Sequence, residues 1–364
     1  MTANWDAVDL FAGPGGWDLA AAAMGIRAVG LEWDASAVAT RTAAGHATIR
    51  TDVAAYPTGP LAGIRGLIGS PPCQTFSSGG KRAGLSDMAL VHQAIADLAA
   101  GRDTRAALRS ACADERSLLA AEPVRYAAAM RPEWVALEQV PAALPLWQQA
   151  AEILRGWGYS TWTGILNAAD YGVPQTRRRA ILIASRVRQV APPAPTHAEA
   201  GGEADLFGPG LPQWVSMADA LDLEPGLVVN TRGERRTAGG NEFPADRPSW
   251  ALTEKARSWW VLRHGKRANA TVRRLDEPAA TILGGHARRD YEWHTVGVGP
   301  VQRRLLAIAE ASVLQGFPAA HPWFGSESRQ FLQIGNAVPP PLAAAVLSAA
   351  TGIPAAVPHL AVTA

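Results

Sequence analysis

The chain has 364 residues, 48% of them hydrophobic and 18% charged, with a formal net charge of +2; this excludes a disordered chain and allows one large domain plus a smaller one. Its two cysteines, Cys73 and Cys112, do not amount to a secreted disulfide framework or a structural zinc site, so a reduced cytoplasmic compartment and no metal are expected. No apolar run approaches the ~18 residues of a membrane span, and Met1 to Phe11 lacks a basic start and a long apolar core, so neither a signal peptide nor a membrane partner is expected.

Ala7 to Phe11 reads as a strand and Gly16 to Met24 as a helix. Between them, Phe11-Ala12-Gly13-Pro14-Gly15-Gly16 forms a glycine-rich turn that lets the backbone bend sharply and approach a ligand. No Gly-Lys-Ser or Gly-Lys-Thr follows, which argues against a phosphate-cradling loop. Ala28 to Leu31 is a second strand, running into Glu32-Trp33-Asp34. An acid at the end of a second strand is where such sheets grip ribose hydroxyls, and Trp33 offers a face to adenine. Asp52, after the next strand-like region, is placed to accept from an adenine amino group. Each acid read singly is as well explained as a solvated carboxylate or helix cap; in this order they favour an adenosine-type ligand.

Ile64 to Ile68 is another strand, ending in Gly69-Ser70-Pro71-Pro72-Cys73-Gln74. Ligands of open α/β sheets sit at carboxyl ends of strands, and two prolines stiffen the turn that carries the thiol. Residues 86 to 113 look helical and Ala-rich and carry no evident chemistry. Trp134 to Leu137 is a strand followed by Glu138; Arg177 and Arg179 alternate along an extended segment before the strand Ala180 to Ala184, so both are expected on one face. Strands alternating with helices give a parallel sheet with helices on both faces.

After Ser185 the texture changes. Ala191-Pro192-Pro193-Ala194-Pro195 is a linker and a candidate domain boundary. From Gly226 to Pro300, thirteen Arg and Lys face eight acids, a net +5 that points to a polyanion-binding face. Trp250, Trp259, Trp260 and Trp293 in this stretch read as the core of a small lobe. Asp246-Arg247-Pro248 and Asp276-Glu277-Pro278 are echoes offset by 30 residues, read as two turn-plus-strand units. A helix is expected from Arg304 to Phe317, and a last one from near Pro341.

Phe11–Gly16, Glu32–Asp34, Pro71–Gln74, Leu137–Val140, Gln175–Arg179, Gly316–Pro318 and Gly335–Pro340 follow one another in the order of known motifs, and the chain resembles the DNA cytosine-C5 methyltransferases over nearly its whole length. The resemblance implies an α/β fold: a Rossmann-like S-adenosylmethionine-dependent methyltransferase sheet plus a smaller basic target-recognition domain. Residues 1–188 and 323–352 would form the catalytic domain and 189–322 the recognition domain with a returning hinge helix. It implies S-adenosylmethionine as cofactor, held by Phe11, Gly13, Gly15, Gly16, Glu32, Trp33, Asp52, Pro72 and Asn336. Cys73 would be the nucleophile, adding as thiolate to C6 of a flipped cytosine. Glu138 would serve N3 of the base, with Arg179 on its O2 and Arg177 in support.

One departure stands out. The family has Glu-Asn-Val where this chain has Glu138-Gln139-Val140, and the asparagine normally braces the nucleophile turn. The expected partners are duplex DNA and a cognate restriction endonuclease, with the enzyme a monomer. Competing readings are a tRNA cytosine-C5 methyltransferase, a small-molecule methyltransferase, and a catalytically silent DNA-binding relative.

Overall fold

The computed structural model of the protein describes residues 5–76, 83–202, 210–222, 228–230, 242–244, 246, 248–250 and 307–357. Most of the basic stretch lies outside these residues, as do Trp259, Trp260, Trp293, the second of the two echoes and the start of the helix expected from Arg304. Two compact units are present: Met1–Ala168 with Arg178–Pro195 and Val338–Pro358, and Ala169–Arg177 with Thr196–Ala337 and His359–Ala364.

The first unit is built on a seven-stranded sheet. In chain order its main elements, beside the short helices Ala83–Ser86 and Arg105–Arg109, are β1 (Ala7–Leu10), α1 (Gly16–Ala23), β2 (Ala28–Glu32), α2 (Ala35–Ala43), β3 (Ala47–Arg50), β4 (Gly66–Gly69), α3 (Met88–Ala99), α4 (Glu122–Met130), β5 (Trp134–Gln139), α5 (Leu144–Gly156), β6 (Ser160–Asn167), β7 (Arg178–Ser185) and α6 (Pro340–Thr351). The strand order is β3-β2-β1-β4-β5-β7-β6. Only β7 runs against its neighbours β5 and β6. β1, β4 and β5 are buried along their whole length, as expected for strands covered on both faces. Their Val8, Leu10, Leu67, Val135 and Leu137 side chains enter one core with Phe76, Tyr126 and Trp147. Helices α1 and α6 pack together, and α3, α4 and α5 form a second group, so the sheet has helices on both faces.

Strand order reverses between β1 and β4, which opens a crevice at their carboxyl ends. The turns that follow β1, β2, β3, β4 and β5 all leave the sheet on that edge. Because β7 is reversed, it begins there, and Ala180 lies opposite Gln139. β6 was not legible in the sequence; it is half-buried throughout and mixes polar and apolar residues without strict alternation.

The second unit contains the strand Gln175–Thr176 paired in parallel with Ser249–Trp250, an antiparallel pair Val228–Asn230 and Glu242–Pro244, and helices Met217–Leu221, Ile308–Leu314 and Glu327–Asn336. The helix expected over Arg304 to Phe317 is thus shorter among the described residues. It ends before Gly316, whose φ of 81° stops it. Phe317, His321 and Trp323 pack their rings edge-on or tilted, with centroids 4.5 to 5.1 Å apart. Among the described residues no helix is long and apolar enough to cross a membrane.

Candidate active site

The glycine-rich turn after β1 is held by its neighbours. Phe11 takes a φ of 59°, a costly conformation for a bulky residue, and Gly13 and Gly15 take 52° and 101°. Gly16 then opens α1. The Glu32 carboxylate, at the end of β2, accepts from Gly13 N through Oε2 at 2.8 Å. Its Oε1 accepts from Trp33 N at 2.8 Å and Asp34 N at 2.7 Å. Three main-chain amides therefore fix this carboxylate, and an anionic acceptor strengthens each bond. Trp33 is 74% exposed, an unusual position for the largest apolar side chain. Asp34 caps α2, its Oδ1 accepting from Ser36 N and Ala37 N at 3.0 Å each. Asp52 is exposed beyond β3, with Oδ1 accepting from Ala54 N at 2.9 Å.

Beneath the turn lies a buried polar knot that the sequence reading missed. Arg41, fully buried on α2, donates to both oxygens of Asp18 at 2.7 and 2.8 Å, to Thr48 Oγ1 at 2.9 Å, and to the carbonyls of Ala12 and Ala47 at 3.2 Å each. Gly30 makes room for it: a Cβ there would stand 2.0 Å from Arg41 Nη2. Asp9, in mid-β1, is fully buried, and no described N–H or O–H group donates to it. Burial, first, and the neighbouring Asp18 charge hold its carboxyl well above the usual range. Burial acts against the Asp18 carboxylate, but Arg41 and Asp9 outweigh it and hold its pKa down. The signal in the sequence was an acid in the middle of an apolar strand and another in an apolar helix.

The Pro-Pro-Cys turn follows β4. Cys73 and Pro72 are half-buried. The turn is held from two sides: Trp17 Nε1 of α1 donates to Ser70 Oγ at 2.8 Å, and Gln139 Nε2 of β5 donates to Pro71 O at 2.8 Å. Gln139 is 1% exposed, and its Oε1 accepts from Val140 N at 2.8 Å. The longer amide thus still braces the turn that carries Cys73. Gln74 is reached by Arg116 Nη1 at 3.2 Å.

Glu138 does not follow the strand as expected; β5 continues through Gln139, so Glu138 is a strand residue and 7% exposed. Its Oε1 is paired with Arg179 Nε at 2.7 Å. The sequence supplies this contact by placing Arg179 early in the reversed strand β7, beside the end of β5. Arg177 lies in the break between Gln175–Thr176 and β7, not on one continuous extended face with Arg179. It belongs to the second unit, where its buried guanidinium donates to Gly335 O at 2.9 Å. Asn336, also in that unit, is exposed at the end of the helix Glu327–Asn336. Gln175 donates there to Leu314 O at 3.1 Å and Gln315 Oε1 at 2.9 Å.

A half-buried thiol on a braced turn, next to a strand whose carboxylate is matched by a guanidinium, is equipment for nucleophilic catalysis with proton transfer. The family model for C-5 cytosine-specific DNA methylase matches residues 5–93, 105–209 and 227–351, and the chain belongs to that family of enzymes. Among curated relatives, the Type II methyltransferase M.AplI of Arthrospira platensis is 28% identical, across 93% of this chain and 83% of its own. The Type II methyltransferase M1.HphI of Haemophilus parahaemolyticus is 27% identical, across 78% of this chain and 67% of its own. Solved structures of the Dnmt2 methyltransferase of S. pombe and the methyltransferase EhMeth of Entamoeba histolytica each superpose with a TM-score of 0.54. The first is 15% identical and covers 94% of this chain and 96% of its own; the second is 12% identical and covers 96% and 98%. At these identities the likeness speaks for the fold.

Proposed function

We propose that the enzyme methylates C5 of a cytosine flipped out of duplex DNA, with Cys73 as nucleophile and S-adenosylmethionine as methyl donor. The observation that carries this reading is the Glu138–Arg179 pair, 2.7 Å apart, on the strand whose next residue, Gln139, braces the Cys73 turn.

The residues after β1, β2 and β3 suit the donor. Glu32, held by amides, would hold its ribose; Trp33, with its exposed indole, would suit its adenine, and Asp52 the adenine amino group. Phe11, Gly13, Gly15, Gly16 and Pro72 would contact it, and Asn336 is the remaining candidate. When bound, the donor supplies an electrophilic methyl group. Cys73 Sγ, as thiolate, adds to C6 of the cytosine and makes C5 a nucleophile. Glu138 exchanges a proton with N3 as charge builds on the ring, and Arg179 fixes the Glu138 carboxylate while reaching the base O2. Arg177 supports this segment. After transfer, the C5 proton leaves to water, the C6–S bond breaks, and the thiolate is regenerated.

Residues 189–322, with the net +5 stretch Gly226–Pro300, read the DNA. The Type II relatives favour a role beside a restriction endonuclease of the same specificity, with the enzyme working as a cytoplasmic monomer on the chromosome. Covalent trapping tests the chemistry. Duplex DNA carrying 5-fluorocytosine should form a denaturant-stable adduct with the wild-type chain and S-adenosylmethionine, and none with Cys73→Ser. An adduct on tRNA but not on duplex DNA would move the substrate to RNA. No adduct on either would sink the covalent route.

A further inference from the structure

The connection from β4 to β5 is long, and the family match breaks within it, between residues 93 and 105. The chain in that gap is tied down by Asp97. Its carboxylate accepts from Gln93 Nε2 at 2.8 Å, Arg102 Nη2 at 2.6 Å and Thr104 Oγ1 at 2.8 Å. These donors, Gln93 first, hold its pKa at about 2, so the tie is charged at any working pH. The next residue after this knot is Arg105.

Arg105 reaches across the fold. Its Nη1 donates to Ala54 O at 3.1 Å and to Glu122 Oε1. Glu122, at the start of α4 and 1% exposed, also accepts from Arg125 Nε at 2.6 Å. Arg125 then donates to Val53 O at 2.7 Å and Tyr56 O at 3.2 Å, and the Tyr126 hydroxyl donates to Val53 O at 2.9 Å. Three carbonyls of one turn, those of Val53, Ala54 and Tyr56, are thus held by two guanidiniums that share a buried carboxylate. That turn begins at Asp52, whose own carbonyl accepts from Tyr56 N at 2.9 Å.

The arrangement is more than a local tie. A buried carboxylate is costly without its partners, so Glu122 holds both guanidiniums in place, and they hold the turn. Asp52 is exposed, and a carboxylate on a loose turn would have to be ordered on each binding event at an entropic cost. We propose that Arg105 is a positioning residue for S-adenosylmethionine: through Ala54 and the Glu122–Arg125 pair it fixes the turn that presents Asp52 to the adenine. The proposal rests on the cofactor reading of Asp52 given above. It also gives the connection after β4 a role, since its helical stretch α3 and the Asp97 knot deliver one guanidinium to the adenosine side of the site.

The experiment compares the full-length chain with Arg105→Met, Arg105→Lys, Asp52→Asn and the double variant Arg105→Met/Asp52→Asn. Binding of S-adenosylhomocysteine is measured by calorimetry, and amide exchange of residues 53–56 is followed in the ligand-free protein. Arg105→Met should weaken binding about tenfold, the worth of one charged hydrogen bond. It should speed exchange at Ala54 to Tyr56 and raise KM for the donor more than it lowers kcat. Arg105→Lys should recover part of the affinity. On the Asp52→Asn background the same change should add little. Two results overturn the proposal while leaving the cofactor reading intact: Asp52→Asn weakens binding but Arg105→Met does not, or Arg105→Met costs the same affinity on both backgrounds, which marks general destabilisation. If Asp52→Asn itself binds as the wild type does, the reading of Asp52 fails first and takes this proposal with it.

Discussion

The Gln139 side-chain amide donates to the Pro71 carbonyl at 2.8 Å while its own oxygen accepts from Val140 N at 2.8 Å. One amide thus joins the end of β5 to the turn that carries Cys73, in a place that is 1% exposed. Gln139→Ala leaves a buried carbonyl and a main-chain N–H without this partner, a loss of roughly 1–3 kcal/mol for each such group. Single-turnover methylation should slow by about tenfold or more, with S-adenosylhomocysteine affinity held. Gln139→Asn, one methylene shorter, should fall between Gln139→Ala and wild type; equal rates in all three would show that the brace does not matter to the chemistry.

Cys73→Ala is expected to abolish methylation and leave affinity for duplex DNA largely intact. Glu138→Gln keeps the shape of the side chain and removes its titration, so turnover should drop by about a hundredfold or more. Filter binding beside a tritiated-methyl transfer assay reads both. Full activity in Cys73→Ala removes the assigned nucleophile.

Gly15 takes a φ of 101°, and a Cβ there would stand 2.6 Å from His46 Cδ2. Gly15→Ala therefore meets both backbone strain and a ring held at the edge of the polar knot. A loss of roughly 1–3 kcal/mol in stability is expected, with weaker binding of the donor as the turn shifts. Thermal denaturation with and without S-adenosylhomocysteine measures the two together. Gly25→Ala, also at positive φ but with open space around it, should show the stability loss without the binding defect.

Burial pushes the His46 imidazole below its usual 6.5, with the Asp18 carboxylate pulling the other way and Arg41 adding to the depression. The folded state therefore binds this proton less readily than the unfolded chain. Its stabilising contribution is fully present above pH 6.5 and is lost as pH falls through the folded value. The slope is at most that of one proton, about 1.4 kcal/mol per pH unit. Denaturant midpoints between pH 7.5 and 5 should fall less steeply in His46→Gln than in the wild type, whatever the absolute stabilities. Parallel curves would assign the acid sensitivity elsewhere.

The order of the candidate site residues along the sheet edge was written in the amino-acid sequence. The glycine-rich turn, Glu32, Asp52, Cys73 and Glu138 each follow or end an apolar segment, and in a parallel sheet all such ends emerge on one edge, so their gathering was legible without coordinates. Periodicity likewise located β1, β2, β4, β5 and β7 to within a few residues. Packing settled whatever depends on contacts between residues distant in the chain. The reversal of β7 brings Arg179 to Glu138; Arg177, two residues earlier, belongs to the other unit. The knot of Asp9, Asp18 and Arg41, the Trp17–Ser70 bond and the reach of Arg105 to Ala54 join elements that no local pattern pairs. Local propensity and hydrophobic period act over a few residues, whereas a buried polar group is satisfied by whatever donor the packed fold delivers, and only the fold shows which one that is.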